Sequence, residues 1–479
     1  MKKINFSKLY QSILYIYIFL PIIIFVAGWL KWYYSIPVCA LILFSLIKAI
    51  SEETLQADFL FQKSNWSKLI GALFIISFWV FISGIGGLCY QNSDHEIRNT
   101  LYRALVEYDW PVISLDGSRG LIYYIGFWLP SALFGKIFGY KSGLGFQDVW
   151  AVLGIFIVYS LICLKRNKVD FWSLAILILF SGLDYLGVWL LQKDGIDLLT
   201  ATHIEWWAFD FQYSSNTTQL FWVFNQAIPA WVVTSLLYVN ENKRNMLFIL
   251  SGILFTSTFP FVGLLPFVIY WLLKDFKLNK NFFKQIFTIQ NCVGVFVIGI
   301  VSLLYLIGNV SAGKVSSDSV SNILIDPSVV LLKYLLFCLF EFGIYLFVIA
   351  KYEKKNILFW ICCAVLLICP WIKVGGAHDF CMRASIPALF ILMFLVIKAI
   401  DCAMEKKDKF FLICITCVLL IGAITPFNEI HRSIRESISY MDQGISVKYP
   451  EVSIEDDLFQ IDNFSGSTKS NLFFKYFAK

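Results

Sequence analysis

Eleven apolar runs, each long enough to cross a lipid bilayer, dictate what this chain can fold into. They lie near residues 13–30, 36–50, 68–90, 148–164, 171–191, 219–239, 287–308, 328–350, 357–372, 386–402 and 410–426. A segment facing lipid must satisfy its own backbone hydrogen bonds, and none of the runs has the alternation of a barrel strand, so all are expected to be helices. The expected fold is all-α, a polytopic membrane bundle of about eleven spanning helices. Composition agrees. The 479 residues are 58% hydrophobic and 15% charged, whereas a soluble domain is nearer half apolar and a quarter charged.

Basic residues orient the bundle. Lys2, Lys3 and Lys8 precede the first run, and Lys63/Lys68, Lys165-Arg166-Asn167-Lys168, Lys243-Arg244, Lys274 to Lys284, Lys351 to Lys355 and Lys406-Lys407 separate later ones. With a cytoplasmic N-terminus these clusters should all be cytoplasmic. No small-residue cleavage site follows Trp29 to Tyr34, so the first run is expected to remain as an anchor. The clusters account for the net charge of +6, and no nucleic-acid partner is expected. Most of the twelve Cys (Cys39, Cys163, Cys292, Cys338, Cys362, Cys363, Cys414 and Cys417 among them) fall inside apolar runs without metal-ligand spacing. Buried thiols are expected there instead of a disulfide framework.

Two stretches resist charge counting. Residues 246–273 have basic neighbours at both ends and cannot cross once; Pro260, Gly263 and Pro266 suggest two short helices in a broken-helix hairpin that dips in and returns. Residues 91–119 belong outside and Lys165 to Lys168 inside, so only one of 120–140 and 148–164 can span. The former carries Pro130, Lys136 and a belt of Tyr and Trp, which suits an external interfacial helix. The external face then collects 91–147, 192–218, 309–327, 373–385 and the part after Pro426. Residues 1–426 form the transmembrane domain, including loop 91–147, and 427–479 a small external appendage.

Chemistry concentrates in the external segments. Asp94 and Glu96 follow the helix 68–90 directly; its Gly84, Gly86 and Gly87 lack nucleotide-loop spacing and suit helix packing. A carboxylate at the membrane surface can take a proton from an acceptor hydroxyl or hold a divalent cation near a lipid phosphate; the competing account is a solvated helix end. Ile97, Leu101, Leu105 and Tyr108 then mark one side of an amphipathic surface helix that ends at Pro111. His95, His203, His378 and His431 all lie outside the runs. The first three adjoin Asp94 and Glu96, Glu205, and Asp379, so they either converge on a site or reflect the exclusion of ionisable groups from lipid. Trp206 and Trp207 suit the headgroup level or stacking on a sugar, Ser214 to Thr218 can cap the next helix, and Asn225 and Gln226 need partners inside a cavity. Lys373, His378 and Arg383 supply cations beside Asp379; Arg383 either binds a phosphate bidentately or snorkels.

A helix ending in an acidic residue, a charged amphipathic helix with the Trp110-Pro111 turn, the stretch LPSALFGKIFG and a helix ending in basic residues together resemble the first external loop of GT-C-type glycosyltransferases. The likeness covers residues 68–170 in organisation. The stretches NSDHEIRNTLYRALVEYDWPV, QYSSNTTQLFWVFNQAIPAW and HDFCMRASIPAL are similar to a bacterial branch of large membrane proteins built this way. The resemblance implies a GT-C-like, multi-pass enzyme of the bacterial inner membrane. Such an enzyme moves a sugar, with inversion, from a polyprenyl-phosphate donor to a glycan, lipid or protein acceptor at the extracytoplasmic face. Asp94 then matches the acceptor-activating carboxylate, with Glu96 as a second acid. Under this reading Arg383, Lys373, His378 and His203 hold the lipid phosphate, and Trp206, Trp207, Asn225, Gln226 and Asp379 line the substrate cavity. Asp94, His95 and His378 are the candidate ligands of a divalent cation, with no other cofactor implied. Two departures stand out: two helices precede the loop-bearing one, and the part after 426 is smaller than the soluble domain of many relatives.

Two rivals remain. A surface-polysaccharide polymerase or ligase, using a diphosphate donor, calls for more external Arg than Arg98, Arg103, Arg119 and Arg383. A transporter or flippase for a lipid-linked glycan fits the broken helices, but repeats and ionisable residues deep in the helices are not evident.

Overall fold

The computed structural model describes residues 5–191, 204–208, 211–277, 279–309, 327–374 and 379–479; His203 and His378 lie outside them. The chain begins with α1 (Phe6–Trp29), α2 (Trp32–Ser51), α3 (Lys63–Ile82), α4 (His95–Glu107), α5 (Leu129–Phe138) and α6 (Tyr140–Arg166). It continues through α7 (Phe171–Leu179), α8 (Asp184–Leu191), α9 (Asn216–Val239), α10 (Met246–Ser251), α11 (Thr258–Leu273), α12 (Lys280–Ile286) and α13 (Val295–Leu306). The remaining helices are α14 (Pro327–Cys338), α15 (Ile344–Glu353), α16 (Ile357–Ile368), α17 (Asp379–Ala384), α18 (Ile386–Glu405), α19 (Lys409–Gly422) and α20 (Ile424–Asp442).

Among the described residues nine helices are long and apolar enough to cross a membrane, or ten if the bent pair Lys280–Ile286 and Gln290–Leu306 is one span. Of the eleven runs, 357–372 yields only the shorter apolar helix Ile357–Trp371, held between Lys354-Lys355 and the turn at Pro370. Helix α9 is the axis. Of its apolar window 89% is buried, against α6, α7, α11, α18 and α20. Its start is capped as the sequence suggests, Ser215 Oγ accepting from Thr218 N at 3.0 Å, while Asn216 donates to Leu177 O at 2.8 Å.

One end of the bundle gathers the basic clusters. Arg166 pairs with Asp170 at 2.9 Å and Asp401 at 2.7 Å, Arg244 with Glu52 at 2.9 Å, Lys398 with Glu353 at 2.9 Å, and Lys351 with Asp408. Lys8 reaches Ile50 O at 3.0 Å beside them. Loops far apart in sequence thus meet where charge counting puts them together.

Two local expectations change and a third holds. Helix α3 stops at Ile82 instead of 90, because Gly84 (φ 82°) and Gly87 (φ 75°) take left-handed conformations that suit a turn and not a helix-packing surface. Residues 246–273 form two helices that break at 252–257, not at the prolines. Pro260 sits in the first turn of α11, where its missing N–H is harmless, and Pro266 is held within the same helix. Ser257 Oγ closes the break by donating to Gln226 O at 3.0 Å. Residues 120–140 do form a helix too short to cross, Ile125–Phe138, packed on α4 and α6.

The division at 426 falls inside α20, and the residues beyond that helix form a cover laid over the first loop. Strand β1 (Arg119–Leu121) pairs antiparallel with β2 (Ser465–Ser467), Gly120 opposite Gly466. Asn99 donates to Tyr449 O at 3.1 Å, Val452 N to Thr100 Oγ1 at 3.0 Å, and Arg103 pairs with Glu451 at 2.9 Å. Helix α4 is therefore covered on two sides. Arg98, Asn99 and Thr100 are buried with Leu101 and Leu105, where an interfacial helix alone would leave its polar side wet.

A Cβ at Gly263 would collide with the Ala384 carbonyl, so α11 and α17 touch backbone to backbone. Gly263→Val should cost about 1–3 kcal/mol and lower the unfolding temperature read by thiol-reactive dye, as buried Cys362, Cys369 and Cys381 become accessible. Gly145→Ala, where a Cβ meets nothing within 4 Å, should leave it unchanged.

Candidate functional site

The site starts from a flaw in α9. Val223 has non-helical dihedrals (φ −138°, ψ 32°), which interrupts the backbone ladder and frees polar groups in an apolar interior. Asn92 Nδ2 donates to the Phe221 carbonyl at 2.8 Å. The same side chain organises the start of α4: its Oδ1 accepts from Asp94 N at 3.1 Å and lies 3.2 Å from His95 Nδ1. Loop and axis are thereby locked at one point.

Phe224 follows the kink and forms the floor. The His95 ring stacks on it with centroids 5.8 Å apart, and the Arg98 guanidinium lies 5.6 Å from its centre. Arg98 Nη2 holds Asp94 Oδ2 at 2.7 Å; the Arg98 side chain is 8% exposed and the Asp94 side chain 45%. The ion pair thus presents one open carboxylate above a buried cation. His95 is buried, and desolvation, reinforced by the charge of Arg98, pushes its pKa well below the usual imidazole range. With Asn92 Oδ1 serving as acceptor for Nδ1–H, the buried Nε2 is left without a partner among the described residues.

A second pair approaches from the other side of the chain. Arg383 on α17 binds Asp379 at 3.0 Å, and α17 is fixed by Phe380 against Phe259 (5.6 Å) and Phe259 against Tyr124 (6.2 Å). The buried Tyr123 hydroxyl feels both pairs. Burial raises its pKa, Arg383 and Arg98 oppose, and Asp379 and Asp94 add to the rise. Arg383 in turn lies within the field of Asp94, Tyr123 and Tyr124. Asp94 and Arg383, the two residues singled out from distant segments, therefore both act on Tyr123.

Orphan atoms line the same region. Arg98 Nη1, Arg383 Nε, Asn225 Nδ2 and Gln226 Oε1 are buried without partners among the described residues. Asn225 and Gln226 directly follow Phe224, so the two amides expected to face a cavity carry unsatisfied groups. Glu96 is partly exposed in the first turn of α4, favourable for the helix dipole. Lys373 is exposed, and Trp206 is 56% exposed.

Trp207 does not join this group. It is buried with its indole N–H on Glu341 Oε1 at 3.1 Å, which opens onto a cluster the sequence reading missed. Asp184 Oδ2 accepts from Ser181 Oγ at 3.0 Å and Thr425 Oγ1 at 2.8 Å, and Glu205 Oε1 accepts from Ser215 N at 2.9 Å. Burial, then the charge of Asp184, pushes the Glu205 carboxyl up to about 8. Glu341 lies mid-way along the apolar helix Ser328–Glu353 and Asp184 within Phe171–Leu191, so ionisable residues do sit deep in the helices. Glu341 inside the run 328–350 was the available signal.

Among the described residues no group of three or more His, Cys, Asp and Glu side chains is arranged to hold a metal ion. Comparison with protein families, curated proteins and solved structures finds no match.

A neutral, buried His95 sets a pH dependence. Its folded pKa lies below the unfolded value near 6.5, so its contribution is intact above about pH 6.5 and is lost as pH falls, by up to about 1.4 kcal/mol per pH unit. The unfolding temperature should drop between about pH 7 and pH 5, and His95→Gln should shrink that drop; an equal drop in both proteins would remove His95 as its source.

Proposed function

We propose that this chain is a GT-C-like membrane glycosyltransferase of a bacterial inner membrane, using a polyprenyl-phosphate sugar at the extracytoplasmic face. The observation that carries the reading is that the Asp94–Arg98 and Asp379–Arg383 pairs, from distant segments, both act on Tyr123. In this reading the bundle end away from the basic clusters faces outward, and Ile357–Trp371 is the eleventh crossing.

The chemistry divides between the pairs. Asp94, paired with Arg98 and open on one side, accepts the proton of an acceptor hydroxyl while that oxygen attacks the anomeric carbon. The bond between that carbon and the lipid phosphate breaks on the opposite face, which inverts the centre. Negative charge that builds on the phosphate is met by Arg383, whose Nε, without a partner among the described residues, supplies a donor beyond the one spent on Asp379. Asn225 and Gln226 offer to sugar hydroxyls a donor and an acceptor that have no partner among the described residues. Lys373, His378 and His203 remain candidates for the lipid phosphate, Trp206 for the headgroup level or a sugar face, and Glu96 for a second acid. A divalent cation, if the substrate phosphate brings one, would meet Asp94 as the most open carboxylate.

A second reading, a transporter for a lipid-linked glycan, draws support from the buried carboxyls Asp184, Glu205 and Glu341. Movement of lipid-linked sugar across proteoliposomes without transfer would decide for it.

Transfer of labelled sugar from polyprenyl-phosphate hexoses to membrane acceptors tests the first reading. Asp94→Asn should reduce the rate by about 10²-fold or more, Arg383→Gln should do the same, and Glu96→Gln should have a smaller effect, with folding unchanged. Full activity of Asp94→Asn would overturn the assignment.

A further inference from the structure

The buried carboxyl cluster has no part in the chemistry above, and among the described residues no cation pairs with it. Asp184, Glu205 and Glu341 are exposed by only 1%, 2% and 3%. They come from three different elements: the start of α8, a short turn Ile204–Ala208, and a π-turn Leu339–Gly343 between α14 and α15. Arg432, the basic group on the adjoining α20, is committed to Glu429, which also accepts from Trp222 Nε1 at 3.1 Å. The other titratable groups facing the cluster among the described residues are Tyr345 on α15, Tyr213 before α9, Cys381 on α17 and Glu429 on α20.

Three carboxylates without a counter-ion cannot all be ionised in such a place. The Glu341 and Asp184 carboxyls face each other at hydrogen-bonding range, an arrangement that needs a proton on one of them, and Asp184 Oδ1 has no other partner among the described residues. Glycine at 182 makes the approach feasible, since a Cβ there would collide with Glu341 Oε2.

An independent feature serves the state after the proton leaves. The Tyr345 hydroxyl is buried and makes no hydrogen bond among the described residues. It points at the same spot: a Cβ at Gly422 would lie 2.6 Å from it and 3.0 and 3.3 Å from the carbonyls of Ser181 and Gly182, the residues that hold Asp184 and Glu341. Ser181, Thr425 and Trp207 already donate to the acids. With Tyr345 in reserve, the cluster has donors for both the protonated and the ionised pair.

We infer that Asp184, Glu341 and Glu205 form a proton-binding site inside the helical bundle, with Tyr345 as the donor that stabilises its deprotonated form. The step is a simple one: a carboxylate oxygen gains a proton to become a carboxylic acid, and loses it again to water. Glu205, within the field of Glu429, provides the link towards α20 and the loop-bearing end.

Infrared difference spectroscopy of the full chain in lipid, stepped from acidic to alkaline pH, tests this without reference to any transfer activity. A protonated-carboxyl C=O band should be present at neutral pH and disappear reversibly at alkaline pH. It should lose intensity in Glu341→Gln and Asp184→Asn. Tyr345→Phe, which removes one oxygen and keeps the fold, should raise the midpoint by about one pH unit, a roughly tenfold change in proton affinity. Absence of the band at every pH, or a band and midpoint unmoved by Tyr345→Phe and by whichever acid variants fold, would overturn the inference.

Discussion

A backbone that leaves its helix inside an apolar bundle must find hydrogen-bond partners, and the whole loop-bearing end is arranged around one such demand. Val223 interrupts α9, a deeply buried helix, and Asn92 answers from the first loop. Once Asn92 is there, Asp94 and His95 start α4, Arg98 comes over Phe224, and the Asp94 carboxylate is lifted to the surface of a largely buried assembly. An unbroken α9 would offer no carbonyl at 221, and α4 would have no fixed point against the bundle.

Electrostatics at the two ends follow different rules. At the basic end, ion pairs such as Lys351 with Asp408 and Lys398 with Glu353 are partly wet and tie loops together at modest strength. At the other end and within the bundle, charges are drawn out of water, and their partners decide which survive. Arg98 and Arg383 keep carboxylates beside them, whereas Asp184, Glu205 and Glu341 have, among the described residues, each other and neutral donors. In the first case the opposite charge offsets the cost of desolvation, and in the second three acids share one dry place without a counter-charge among the described residues.

What could be read from the residues was the part governed by local pattern. Apolar length marked the helices, basic clusters marked one end, and the conflict between loop 91–119 and Lys165 to Lys168, with the composition around Pro130 and Lys136, singled out 120–140 as the run that does not cross. The polar segments around Asp94, Asn225 and Arg383 stood out because they interrupt apolar runs. Glu341 did not, since one acid among LLFCLFEFGIYLF is averaged away by hydropathy. The hairpin was misplaced because a proline in a first helical turn costs nothing, a distinction that depends on where the turn begins. The pairing of 119–121 with 465–467 has no periodic signature at all, each strand being three residues long.

That pairing has a consequence for how the molecule is made. Asn99 and Tyr449 are separated by 350 positions, and the backbone groups of Gln91 and Ile122 are answered by Val447 and Phe464. At ribosomal speeds of roughly 5–20 residues per second, the first loop would wait on the order of 20–70 s for these partners. Throughout that interval α4 and its carboxylate lack their lid. Closure of the loop thus reports that the later helices have been synthesised, and a chain interrupted midway would carry the kinked axis and the acidic turn without ever assembling the surface they support.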